Sequence, residues 1–71
     1  MGANDQQVGG SHYKHVAIQP WDYIAANDIP YLAGNAIKYL SRYQRKGGEQ
    51  DIRKAIHYCR KILEIEYGTT E

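Results

Sequence analysis

The stretch Lys46-Gly47-Gly48-Glu49 divides two runs of helical periodicity, and no other feature of this chain restricts its fold as strongly. Before it, Leu32, Ala33, Ala36, Ile37, Leu40 and Tyr43 recur at the three- and four-residue spacing of one helix face. After it, Ile52, Ala55, Ile56, Cys59, Ile62 and Leu63 do the same. Two adjacent glycines supply the backbone freedom that stops a helix. Arg45 and Lys46 suit the negative end of the helix before them, while Glu49 and Asp51 suit the positive start of the one after. The spacing therefore predicts one helix opened by Pro30 and running to Lys46, and another from about Glu49 to its stop at Gly68. A joint this short folds the two back on each other as an antiparallel hairpin.

Upstream, Pro20 sits where a first helical residue is tolerated and Asp22 falls in the first turn. Trp21, Ile24 and Ala25 share one edge, so a short helix burying that edge and ending in Ala26 to Asp28 is expected. Ser11 to Gln19, where Val16 and Ile18 alternate with polar or small neighbours, reads as an extended arm too short to form a sheet alone. The polar, Gly-rich residues 1–10 have too little apolar surface to offset the entropy of ordering. The expected fold is all-α: a short helix plus an antiparallel helical hairpin with an extended N-terminal arm. On this reading residues 1–10 are expected to be a flexible N-terminus, 11–67 a single helical domain and 68–71 a tail.

Size then limits stability. A chain of 71 residues with one cysteine has no internal disulfide, and domains near this lower limit need a metal, a disulfide or a partner subunit. His12, His15 and His57 lack metal-site spacing, so no metal is expected and a homo-oligomer is, with Ile65 and Tyr67 as apolar surface near the end of the last helix. A net charge of +1 is too balanced for bulk DNA binding. No apolar run approaches the ~20 residues that span a bilayer, so no membrane partner is expected. The lone cysteine fits a reduced intracellular compartment; Cys59 lies in an apolar stripe and reads as core rather than nucleophile. A GxxxxGK[ST] phosphate loop and an ExxE carboxylate pair are both missing from the sequence.

Eight of the nine Lys and Arg residues fall between Gly34 and Lys61. On the second helix Asn35, Lys38, Arg42 and Lys46 make one strip, roughly opposite the apolar stripe, with Tyr39 along its edge. On the third, Asp51, Lys54 and Tyr58 make a comparable strip continued by Lys61 and Ile65, while Arg53 and Arg60 lie on a different side. Such strips suit a phosphate-bearing ligand with a stackable ring: cations for oxygens, tyrosines for a base, the Asn35 amide for a base or sugar edge. They equally suit an ordinary solvated helix surface, with the tyrosines packing and Gly34 allowing a tight helix crossing.

The motifs together resemble a known family. "HYK" (His12–Lys14), "QPWDYI" (Gln19–Ile24), "GNAIKYLSRYQRKGG" (Gly34–Gly48) and "DIRKAIHYCRK" (Asp51–Lys61) are similar to a small bacteriophage family long of unknown function. It is often labelled "nucleotide kinase", after an early-gene nucleoside monophosphate kinase of a short-tailed coliphage. The resemblance covers about Ser11 to Leu63 and implies signature positions at His12, Tyr13, Pro20, Asp22, Gly34, Asn35, Lys38, Tyr39, Arg42, Lys46, Asp51, Lys54 and Tyr58. Most are polar positions, which turns the reading of the strips toward a ligand site. The expected function is a phage-encoded nucleotide-binding protein in the cytoplasm of the infected bacterial host, in nucleotide metabolism or in sequestering a nucleotide signal of host defence. Lys38, Arg42, Lys46 and Lys54 would contact phosphate and Tyr13, Tyr39 or Tyr58 would stack. Asn35 would orient the base or sugar, and Asp22 or Asp51 would hold a cation or a ribose hydroxyl. His12 and Tyr13 would close over the ligand. The kinase-labelled relative is considerably longer and this chain lacks a phosphate loop, so binding without turnover is favoured. The alternatives are a nucleoside monophosphate kinase, which would need Mg²⁺, and an inhibitor of a host protein acting by direct contact.

Overall fold

A computed structural model describes residues 17–71, and these form three helices: α1 (Pro20–Ala26), α2 (Tyr31–Arg42) and α3 (Gly48–Tyr67), with no strand among the described residues. The all-α expectation holds. The expected arm lies largely outside the described residues.

Each boundary has a local cause. Gln19 is extended and Pro20 then opens α1. At its end Asp28 adopts the left-handed conformation (φ 51°). The Asp28 N–H reaches the Ala25 carbonyl (3.2 Å) and the Ile29 N–H reaches that of Ile24 (3.0 Å), the paired bonds of a Schellman closure with Asp where Gly is usual. Pro30 is extended and accepts from the Gly34 N–H (2.8 Å), starting α2. Gly68 (φ 67°) ends α3, with N–H groups of Gly68 and Thr69 closing on Glu64 and Leu63.

The second helix stops earlier than its periodicity predicts, at Arg42 rather than Lys46. The Arg45 and Lys46 N–H groups both turn back to the Arg42 carbonyl (2.9 Å each), and the Gly48 N–H to that of Tyr43 (2.8 Å). The turn tightens because Gly48 is left-handed (φ 54°) and lies in open space. Gly47 is needed for a different reason: a Cβ there would overlap the Asp51 carboxylate.

The helices α2 and α3 are antiparallel, since Arg42 meets Asp51 while Tyr39, one turn earlier, meets Tyr58, farther on. The short helix α1 touches α2 and has no contact with α3, so α2 lies between them. Its crossing with α2 is close at Gly34, where a Cβ would stand 3.1 Å from Ile24 Cγ2, which favours the packing role for this glycine. Of the edge expected to be buried on α1, Ile24 is half-buried, while Ala25 is exposed and Trp21 is 54% exposed.

The seam between α2 and α3 is not the apolar core that the two stripes suggest. The buried apolar side chains among the described residues are Ala36 (6% exposed) and Ala55 (2%), and beside them lies Asp51 (1%). Leu40 and Ile56 are 48% and 44% exposed, and Cys59, expected in the core, is exposed. One small residue of each stripe, Ala36 and Ala55, is buried, while Leu40, Ile56 and Cys59 of the same stripes are left exposed. Asn35, Lys38 and Arg42, expected on the solvated side opposite the stripe, are instead half-buried.

Candidate functional site

At the turn end of the seam, Arg42 and Asp51 form a two-pronged ion pair. Nε donates to Oδ2 at 2.9 Å and Nη2 to Oδ1 at 3.1 Å. The fork geometry of guanidinium matches the two carboxylate oxygens, which a lysine cannot reproduce. The Gly47 backbone N–H also favours the ionised carboxylate. The Arg42 hydrogen bonds hold the Asp51 carboxyl below its ordinary value of 3.8; Arg42's charge, the Gly47 N–H and Lys54's charge act in the same direction, and burial opposes them. Asp51 therefore stays ionised within the seam. With both oxygens committed, it meets a ligand only if this joint opens.

The pair fixes what lies beside it. The Arg42 guanidinium carbon stands 5.1 Å from the centre of the Tyr39 ring, and Tyr39 stacks on Tyr58 with centroids 5.9 Å apart and planes 15° from parallel. His57 meets the Tyr58 ring edge-on at 6.2 Å. Two lysines from different helices converge on the same Tyr39 ring, Lys38 Nζ at 5.0 Å and Lys54 Nζ at 5.1 Å. Neither makes an ion pair with another described residue. Through the shared ring the two ammonium groups are no more than about 10 Å apart.

Next to this cluster a groove of about 410 Å³ is lined by Tyr39, Gln50, Arg53, Lys54, His57 and Tyr58, within the range of small-molecule sites. Arg53 is held to Glu49 through Nε (2.8 Å) and Nη2. Both are exposed, so the pair is weak and open to exchange. Lys61 pairs with Glu64 at 3.1 Å. The Asn35 Nδ2 atom is enclosed on the α2 face that carries Tyr39 and Arg42, and it has no hydrogen-bond partner among the described residues.

The structure thus gathers Lys38, Tyr39, Arg42, Asp51, Lys54 and Tyr58 into one cluster. Of these, Tyr39, Lys54 and Tyr58 line the groove, while Lys38, Arg42 and Asp51 stand beside it and Asn35 is not in its lining; Lys46 is exposed in the turn and Asp22 is exposed on α1, and neither lines the groove. His12 and Tyr13 lie outside the described residues. Arg53, assigned from the sequence to a different side of the helix, lines the groove, while Arg60 is exposed and does not. From the sequence, Gln50 was not singled out and His57 was considered only as a metal ligand. Their signal was available: Gln50, Lys54, His57 and Lys61 follow at intervals of 4, 3 and 4, the same strip spacing as on α2.

No metal-competent group of three or more His, Cys, Asp or Glu occurs among the described residues, and no helix there is long and apolar enough to cross a membrane. No curated protein and no solved structure matches the chain. Residues 8–60, which include the whole ion-pair and tyrosine cluster, match the family described as a protein of unknown function, DUF3310. With most of its length accounted for in this way, the chain belongs to the DUF3310 family.

Proposed function

We infer that this protein binds a phosphate-bearing nucleotide at the Tyr39–Tyr58 groove. The observation that carries the reading is that Lys38 and Lys54, from two helices, both stand about 5 Å from the centre of one tyrosine ring while neither is ion-paired to a described residue. Two like charges drawn together repel unless an anion joins them, and a phosphate oxygen accepts a charge-assisted hydrogen bond from each. The exposed side of the tyrosine pair offers a base a stacking surface, with Gln50 and His57 at its edge. Asn35 brings an unpaired amide donor on the same face. Arg42 and Asp51 act as positioning residues: their joint holds the ring against which the lysines lie.

The resemblance to the phage family supports a setting in the cytoplasm of an infected bacterium, in nucleotide metabolism or in sequestering a nucleotide signal of host defence. Holding without turnover fits a groove open to water, since phosphoryl transfer needs a second bound nucleotide and exclusion of water. The resemblance to the kinase-labelled phage family keeps nucleoside monophosphate kinase activity with Mg²⁺ as the second reading. A host protein as the direct target of the same surface is the third.

The test is a calorimetric and thermal-shift survey of mono-, di-, tri- and cyclic nucleotides. With the ligand so found, Lys38→Ala and Lys54→Ala should each weaken binding by about 1.5–3 kcal/mol, the scale of a hydrogen bond to a charged group. Arg60→Ala, an exposed cation away from the groove, should change it little. If the three substitutions behave alike, the groove is not the site. Formation of nucleoside diphosphate from monophosphate and ATP over many turnovers would promote the kinase reading instead.

A further inference from the structure

We propose that Arg53, withheld by Glu49, is the second phosphate contact of the groove, and that it makes the groove select a nucleotide with two or more linked phosphates over a monophosphate. This rests on the reading that the groove holds a nucleotide. The hairpin carries two Arg–carboxylate pairs across or along its helices, and they are built differently. Arg42 matches both oxygens of Asp51, whose side chain is 1% exposed. Arg53 brings Nε and Nη2 to a single oxygen of Glu49, Oε2, and Oε1 takes no bond from a described residue. The Arg53 and Glu49 side chains are 74% and 76% exposed. Water and salt screen such a pair, so an anion that offers the guanidinium two oxygens can displace the carboxylate.

Glu49 loses little when it is displaced. It lies in the first turn of α3, where the free N–H groups of the helix start favour a negative side chain, and it is open to water. Arg53 gains more, because a terminal phosphate presents several oxygens to its fork and more negative charge than a carboxylate. Position decides which phosphate it meets. Three cations stand over the Tyr39 ring, Lys38, Arg42 and Lys54. Of the Lys and Arg residues that line the groove, Lys54 is over that ring and Arg53 is not. A single phosphate held by the lysines therefore leaves Arg53 on Glu49. A second phosphate linked to the first carries negative charge along the groove, away from the ring, to where Arg53 can take it. No Asp or Glu lines the groove, so Glu49, four residues before Arg53, is the carboxylate with which the ligand competes.

The test is calorimetric titration of the full chain with matched mono- and diphosphates of adenosine, guanosine, cytidine and thymidine, in EDTA to exclude metal. The quantity read is the ratio of the two affinities within each variant, so a general loss of affinity cancels. The parent should prefer the diphosphate by roughly tenfold or more, the effect of one hydrogen bond to a charged group. Arg53→Ala should cut that ratio by about fivefold or more. Glu49→Gln keeps the side chain's shape and removes the competing charge, so it should raise the ratio by about two- to fivefold. Both side chains are exposed, so neither substitution threatens the fold. Arg60→Ala removes an equal charge away from the groove and should leave the parent's ratio. A parent with no preference for the diphosphate overturns the proposal, as do equal ratios in Arg53→Ala and Arg60→Ala. A ratio lowered by Glu49→Gln also overturns it, since Glu49 would then place Arg53 rather than withhold it. If Lys38→Ala and Lys54→Ala weaken both ligands while Arg53→Ala leaves the ratio alone, the groove holds a nucleotide and this selectivity alone fails. If neither lysine variant weakens binding, or no nucleotide binds, the groove reading fails and this inference with it.

Discussion

Two polar groups lie enclosed in the helical hairpin, and they are treated in opposite ways. At the turn end, Asp51 receives two hydrogen bonds from Arg42, one on each carboxylate oxygen. Two turns back along α2 from Arg42, the Asn35 Nδ2 has none. A buried charge with every oxygen matched is a structural joint, whereas an enclosed donor without an acceptor is a destabilised position. The first end therefore holds the fold. The second is where something outside the described residues, a ligand or a water, has a bond to gain.

The largest expected effect comes from breaking the joint. Arg42→Ala strands the Asp51 charge in the seam, and Asp51→Asn strands the guanidinium; either should lower the melting temperature by on the order of 10 °C or more. Acid should act on the same bond. The folded carboxyl titrates below its ordinary 3.8, so its contribution is complete above that value and disappears as pH falls through the lower, folded one. A melting-temperature profile should fall below about pH 4, and this fall should be shallower in Asp51→Asn. An Arg42→Ala variant as stable as the parent would break the comparison.

The two turn glycines give the next effect, and they should differ. Gly47→Ala drives a methyl group into the Asp51 carboxylate, so it should approach the cost of losing the pair and be relieved in an Asp51→Ala background. Gly48→Ala meets open space and only a left-handed backbone, so it should lower stability by about 1–2 kcal/mol in either background. Equal losses in both backgrounds would mean that Gly47 is required for backbone freedom alone.

The smallest effect has the opposite sign. Asn35→Leu removes an unpaired amide while keeping its branched skeleton, and should raise the melting temperature by a few degrees, equivalent to about 1 kcal/mol. Nucleotide affinity should fall in the same variant. A loss of stability there would mean that the amide has a bonding partner in solution even without ligand.

Much of this was readable in the sequence, and the exceptions have a common cause. Helical periodicity and the glycine pair are properties of neighbouring residues, so the three helices and the antiparallel hairpin follow from them. Which face meets which depends on the partner helix. The stripes of α2 and α3 suggest an apolar seam with Cys59 inside it, but Ala36, Ala55 and the Arg42–Asp51 pair take the contact, and Cys59 is left exposed. Lys38, Tyr39, Lys54 and Tyr58 could be placed on strips, yet nothing in the spacing showed that the two strips share one ring. Arg42 and Asp51 were legible as residues of interest, but their bond to each other was not: it joins positions nine apart across a turn, outside any single helical repeat.

That nine-residue separation bears on the order in which the chain assembles. A loop of this size closes in tens of nanoseconds, well ahead of typical domain folding, and helix growth from the turn then adds Tyr39 to Tyr58 without any distant search. The folding route is expected to run like a zipper from Gly47-Gly48 outward, with α1 docking on Gly34 afterwards. The ligand cluster would thus take shape early, from the most local contacts in the molecule.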